Sequence, residues 1–292
     1  MSKEELLAQA KKLRERNDSQ VFPLPEQQQT NLTQTKVIVN VSNQDPVALL
    51  VYKPAYLPSQ GVILNFRGSG FMHHWTRHDH AFVKSLVFAT NYTVIDVDYP
   101  LAPEHPFPSA VNASFAAFSY VQEHYKDFSS IGQKLVVMGH SSGGNLAVTT
   151  QLLAKRKQLK LADKLLLDFP VLDLDTDAAK KNYPNGQGIP VEESRLMNSF
   201  YLSDSTQKLT GNCLISPILA TQDELRNFPE TEIHTAEFDS LRDEAENFAQ
   251  HLTEAFVRVT VCRYPDSYHG FTVVKMGTGE KSFADFVKSI LN

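Results

Sequence analysis

Two periods of apolar residues alternate along the chain. Short, nearly unbroken apolar runs at 62–65, 93–97, 134–138, 165–169, 231–235 and 257–264 suit strands, several of them buried on both faces of a sheet. Between them, apolar residues recur at helical spacing. Val111, Phe115 and Phe118 share one face of a helix over 109–124, and Leu241, Ala245, Phe248, Ala249 and Leu252 share one face over 241–252. Further helices fit 81–90, the stretch after Ser141 with Leu146, Leu152 and Leu153, and 282–291. Strands alternating with helices predict a mostly parallel sheet of about eight strands with helices on both faces.

The pattern changes in three places. Runs at 37–41 and 47–52 predict an antiparallel strand pair. Residues 2–17 predict a helix with Leu6, Leu7, Ala10 and Leu13 on one face, followed by a polar, proline-containing loop over 18–35. At 178–212 the alternation breaks: a loop rich in Gly, Pro and Asn precedes a helix over 191–201 with Leu196, Met197 and Phe200. This stretch reads as an insertion covering the site.

The sequence has 292 residues, 42% hydrophobic and 21% charged, enough for one large α/β domain with a substantial core or for two small ones. A net charge of −5 argues against nucleic acid as a partner. Residues 1–20 lack the apolar core of a signal peptide, and no stretch is apolar for long enough to span a bilayer. Lys11-Lys12-Leu13-Arg14 reads as a solvated helix face, so no stable membrane association is expected. The two cysteines, Cys213 and Cys262, fit a reducing compartment, so a cytoplasmic protein is expected, with a homodimer left open.

The chemistry centres on Gly139-His140-Ser141-Ser142-Gly143, which lies between a strand pattern and a helix pattern. A serine there can occupy a sharp turn with its oxygen held above the sheet, a turn too tight for side chains two residues to either side. Ser142 is a rival nucleophile, but His140 stands two places before it, so the glycine frame selects Ser141. The glycines of Arg67-Gly68-Ser69-Gly70, after the strand at 62–65, suit a loop whose N–H groups approach something closely. His73, His74, His78, His80 and Asp79 lack a recognised metal-ligand spacing, so no metal is expected. Asp173-Leu174-Asp175-Thr176-Asp177 opens like a calcium loop, but Ala178 and Pro184 replace the required glycine and glutamate.

Ligands of such sheets bind beyond the carboxyl ends of the strands. Loops there offer Ser141, then Asp239, then His269, the chain order of a nucleophile, an acid and a base on this topology. His269 would accept the Ser141 proton while Asp239 holds its tautomer. Asp266, three residues before His269, is the alternative acid.

From about 62 to 271 the chain resembles the hormone-sensitive-lipase family of α/β-hydrolases, on its bacterial carboxylesterase side. The matching stretches are Tyr99-Pro100-Leu101-Ala102-Pro103-Glu104-His105-Pro106-Phe107-Pro108, Gly139 to Ala147, Phe169-Pro170-Val171-Leu172-Asp173, Asp239-Ser240-Leu241-Arg242-Asp243-Glu244 and His269-Gly270-Phe271. The resemblance implies an α/β-hydrolase fold in a single domain, 1–292, with small helical cap elements from about 1–30 and 178–212. It puts Ser141, Asp239 and His269 on the triad, and the N–H groups of Gly68, Ser69 and Ser142 on the oxyanion hole. Phe71, Trp75, Phe200 and Tyr201 would wall the substrate pocket. The chain departs from the family at two points: Arg67-Gly68-Ser69-Gly70 replaces His-Gly-Gly-Gly, and Gly139-His140-Ser141-Ser142-Gly143 replaces Gly-Asp-Ser-Ala-Gly. The expected function is hydrolysis of short-chain acyl esters, a small-molecule substrate, through an acyl-enzyme on Ser141 and without a cofactor. An amidase or formamidase, a sugar-ester deacetylase and a non-catalytic binding protein are the alternatives.

Overall fold

The structure is a computed structural model and describes residues 3–19, 32–203 and 210–292. Parts of the expected loop over 18–35, of the element at 1–30 and of the insertion 178–212 lie outside the described residues. One sheet contains β1 (Leu32–Val39), β2 (Val47–Pro54), β3 (Gly61–Phe66), β4 (Thr93–Asp98), β5 (Lys134–His140), β6 (Lys164–Asp168), β7 (Glu230–Phe238) and β8 (Val259–Tyr268). Its spatial order is β1-β2-β4-β3-β5-β6-β7-β8. Only β2 runs against its neighbours; all other pairs are parallel. β3 to β6 are buried along nearly their whole length, which is why they read as unbroken apolar runs.

Among the described residues the α-helices are α1 (Lys3–Ser19), α2 (Arg77–Thr90), α3 (Ser109–Glu123), α4 (Tyr125–Phe128), α5 (Ser142–Arg156), α6 (Val191–Tyr201), α7 (Gln222–Leu225), α8 (Arg242–Glu254), α9 (Phe271–Val274) and α10 (Gly279–Leu291). Successive strand residues divide between two cores. Val62, Leu64, Val137 and Leu167 pack with α3, α5 and α8; Ile63, Val94, Val136 and Leu166 pack with Phe82 and Leu86 of α2 and Phe286 and Ile290 of α10. Leu6 and Ala10 of α1 and Phe200 and Tyr201 of α6 join the first core.

Several boundaries differ from the sequence expectation. β1 begins at Leu32, because an edge strand can turn Thr33, Gln34, Thr35 and Lys36 to solvent; their polarity reads as loop. α2 begins at Arg77, inside the histidine-rich stretch. The Thr76 hydroxyl accepts the Asp79 N–H, and the Asp79 carboxylate accepts the Thr76 N–H at 2.7 Å, a reciprocal cap. β8 continues past a bulge to Tyr268, which delivers His269 directly from a strand end.

β3 is flanked by β4 on one side and β5 on the other, so the direction of strand succession reverses there. A crevice opens beyond the carboxyl ends at such a reversal. The loop after β3 carries Arg67 to Gly70, and the turn after β5 carries Ser141.

Candidate active site

Ser141 links β5 to α5 with φ 50° and ψ −118°. A non-glycine residue in this region stores about 1–3 kcal/mol of strain, which its surroundings must hold. Its N–H donates to the Asp168 carbonyl at 2.9 Å, and its carbonyl accepts the N–H groups of Gly144 at 2.9 Å and Val171 at 3.1 Å. The flanking glycines are sterically required. A Cβ on Gly139 would lie 2.1 Å from the Gly143 carbonyl oxygen, and one on Gly143 would lie 1.9 Å from that of Phe66.

Residues from three loops meet. Nε2 of His269 is 2.9 Å from Oγ of Ser141, and Nδ1 of His269 is 2.8 Å from Oδ2 of Asp239. Asp239 is buried, and its Oδ1 accepts the Leu241 N–H at 3.0 Å. The carboxylate can accept only a proton-bearing nitrogen, so the proton of a neutral His269 sits on Nδ1 and Nε2 faces Ser141 as an acceptor. Burial pulls the imidazole's pKa down, but the charge and hydrogen bond of Asp239, followed by the charges of Asp168 and Glu244, outweigh it and hold the value above the ordinary one. Asp266 is exposed, and its N–H donates to Glu237.

The three expected oxyanion groups have different surroundings. The Ser142 N–H opens the first turn of α5, where helix geometry supplies no carbonyl acceptor. Gly68 packs against the turn: a Cβ there would lie 3.3 Å from both Cβ of Ser141 and the His140 carbonyl oxygen. The Ser69 N–H, however, already donates to Oγ of Ser142 at 2.9 Å. Oγ of Ser69 meets the Tyr99 hydroxyl at 2.7 Å, and that hydroxyl donates to the Arg67 carbonyl at 2.8 Å. Arg67 is buried, donates to the His73 carbonyl at 2.8 Å, and lies over the rings of Tyr99 and Trp75.

A cavity of about 300 Å³ opens above Ser141 and His269. Phe169, Ile189, Met197, Val273 and Val274 form its apolar side, and His73, His74 and Thr76 its polar side. The walls differ from those expected. Phe71, Trp75, Phe200 and Tyr201 do not line it. The rings of Phe71 and Tyr201 stack at 3.8 Å, and Phe107 meets Tyr201 edge-on, so the last turn of α6 enters the core instead of the pocket. The insertion contributes Ile189, Glu193 and Met197 instead. A Cβ on Gly70 would lie 2.3 Å from Sδ of Met197, so this side chain sits directly over the loop after β3. Glu193 pairs with Arg16 of α1, and Arg14 of α1 donates to the Met72 carbonyl at 2.8 Å. Among the described residues, no group of three or more His, Cys, Asp or Glu side chains is arranged to hold a metal ion. Asp168, which ends β6, escaped the sequence reading; the one available signal was a carboxylate closing an otherwise apolar strand.

Residues 63–273 match a family model described as the alpha/beta hydrolase fold. The chain is 32% identical over 225 residues to an arylesterase of Saccharolobus solfataricus, covering 76% of this chain and 71% of that protein. It is 31% identical over 128 residues to hormone-sensitive lipase of Homo sapiens, covering 44% of this chain and 12% of that one. Carboxyl esterase 2 of the mycorrhizal fungus Tuber melanosporum superposes with a TM-score of 0.83 at 26% identity, covering 98% of this chain and 97% of that chain.

Proposed function

The chain belongs to the α/β-hydrolase fold family, in its hormone-sensitive-lipase branch, and on that footing we propose that it is a serine carboxylesterase whose reacting groups are Ser141, His269 and Asp239. The observation that carries this reading is the unbroken line of contacts from Oγ of Ser141 through both ring nitrogens of His269 to the buried Asp239.

Oγ of Ser141 attacks the ester carbonyl while Nε2 of His269 takes its proton. Asp239 keeps Nδ1 protonated and stabilises the imidazolium. The negative oxygen of the tetrahedral intermediate draws on the N–H groups of Ser142 and Gly68 and, in competition with Oγ of Ser142, on that of Ser69. Nε2 returns the proton to the departing alcohol, leaving an acyl-enzyme on Ser141. Water, deprotonated by the same nitrogen, attacks the acyl carbon, and as Ser141 regains its proton the carboxylic acid leaves and ionises in solution.

The insertion 178–212 and α1 act as the cap in this reading, supported by the Arg16–Glu193 pair and by the cavity-lining Ile189 and Met197. A cavity of about 300 Å³ sits at the small end of ligand pockets and favours short acyl groups. The same reading keeps the enzyme in a reducing cytoplasm, with Cys213 and Cys262 as free thiols.

The test is a fluorophosphonate probe together with hydrolysis of a nitrophenyl acetate. Labelling at Ser141, with turnover lost in a folded Ser141→Ala variant, is the expected outcome. Full activity in Ser141→Ala with loss in Ser142→Ala would move the nucleophile.

A further inference from the structure

Asp168 closes β6 where the run Leu165-Leu166-Leu167 would otherwise continue. Its side chain is fully buried, an environment in which a carboxylate persists only with partners. Oδ2 accepts Nδ1–H of His140 at 2.9 Å, and Oδ1 accepts the Thr272 hydroxyl at 2.9 Å. The Asp168 carbonyl accepts the Ser141 N–H at 2.9 Å. His140 immediately precedes Ser141, and Thr272 follows His269 by three residues. One residue therefore joins the turn that carries Ser141 to the segment that carries His269.

The connection extends into the scaffold. The Thr272 hydroxyl meets Oγ of Ser282 at 2.9 Å, and Oγ of Ser282 meets Nδ1 of His234 at 2.8 Å. Nε2 of His234 meets Glu232 at 2.8 Å. Thr272 is thereby anchored to α10 and β7.

We propose that Asp168 is a positioning residue for ester hydrolysis: its buried carboxylate, bonded to His140 and Thr272, holds the Ser141 turn and the His269 segment in register. The proposal rests on the roles given above to Ser141, Asp239 and His269. The charged groups that act on His269 are Asp239, which bonds to it, then Asp168 and Glu244; Phe169 packs edge-on against its ring. The titratable group bonded to Asp168 itself is His140. A negative charge at Asp168 favours protonated His269, so removing it lets His269 stay neutral, and active, at lower pH.

Two variants separate charge from tether. Asp168→Asn keeps the shape and can keep both hydrogen bonds, because the Thr272 hydroxyl can reverse and accept. The acid limb of its kcat/KM profile should move to lower pH by roughly 0.5 as the charge is lost. Thr272→Val keeps the charge and cuts the tether. Its kcat should fall about threefold to tenfold through misplacement of His269, with the acid limb unmoved and Thr272→Ser restoring the rate. A role confined to folding would lower the active fraction without moving the limb. An unmoved limb in folded Asp168→Asn overturns the proposal, as does full kcat in Thr272→Val. If Asp168→Asn does not fold, the valine and serine variants decide: loss restored by serine supports the proposal, and full kcat in the valine variant overturns it. Probe labelling of the parent distinguishes the levels. A parent that does not label at Ser141 removes the reading beneath; a labelled parent with an unmoved limb removes only the role of Asp168.

Discussion

The backbone N–H of Ser69 donates to the side-chain oxygen of Ser142 at 2.9 Å, so an amide expected to face the reacting carbonyl is held by a hydroxyl of the protein itself. Ser142 stands directly after Ser141, the proposed nucleophile, where the family usually has alanine. In the proposed mechanism the negative oxygen would compete with this hydroxyl for the Ser69 N–H.

Ser142→Ala should therefore raise kcat. An oxyanion donor contributes about 10²–10³ in rate, and partial competition makes a gain of about twofold to tenfold the expected result. The loop keeps its other supports, Oγ of Ser69 on Tyr99 and Tyr99 on the Arg67 carbonyl. A tenfold fall in kcat on nitrophenyl acetate would instead make the hydroxyl a support of the loop.

The pH profile should follow His269. Burial lowers its pKa, but Asp239 and the more distant carboxylates raise it more, so the net shift is upward. The base must be neutral to accept a proton, so the acid limb of kcat/KM should have its midpoint above the ordinary histidine value of about 6.5. A rate that stays flat down to about pH 4 excludes an imidazole base.

Three carboxylates can be ranked. Asp239→Asn leaves His269 free to adopt the wrong tautomer and should cost about 10⁴ in kcat. Asp243 instead accepts from Arg242 and Asn182 near the surface, and Asp266 is exposed. Asp243→Asn and Asp266→Asn should each stay within about threefold of the parent, since neither bonds to His269. A severe loss confined to Asp266→Asn would transfer the acid.

Lys181 should matter for stability. Its Nζ lies 2.5 Å from Oε2 of Glu244 and 2.8 Å from the Asp173 carbonyl oxygen, and both charged side chains are less than a tenth exposed. Burial pushes the Glu244 carboxyl up to about 7 even beside Lys181, so on losing that partner it takes up a proton, and Lys181→Ala should cost about 1–3 kcal/mol in urea unfolding. A loss under about 1 kcal/mol would mean that the N–H groups of Leu172 and Asp173 suffice for Glu244.

Along a series of nitrophenyl esters, kcat/KM should peak at about two to six acyl carbons. Each buried methylene contributes about 0.8 kcal/mol until the cavity is full, after which further carbons remain in water or displace Phe169 and Met197. A value still rising at about ten carbons would show an open groove.

The sequence by itself carried the strand–helix alternation, the sheet class and the turn at Ser141, because these rest on local rules. A strand buried on both faces must be apolar throughout, and a turn whose Cβ positions clash with neighbouring carbonyls must have glycine at 139 and 143. Asp239 and His269 were legible for a related reason, since each follows a strand whose end faces the crevice. Short-range polarity misled at β1 and at the start of α2, where an exposed edge and a reciprocal cap use residues that also suit loops.

Only the tertiary structure decided what the side chains meet. The oxyanion loop and the insertion suggest Phe71, Trp75, Phe200 and Tyr201 as pocket walls, but none of them lines the cavity: ring stacking turns Phe71 and Tyr201 into the core and leaves the walls to Ile189, Met197 and Val273. The pairing of His140 with Asp168 follows from the register of β5 on β6, which sets the two residues side by side across 28 positions of chain. Spacing within one segment records that segment's own backbone geometry. Register between strands and the direction of a buried ring are set by all the elements packed together, and no single stretch of sequence contains them.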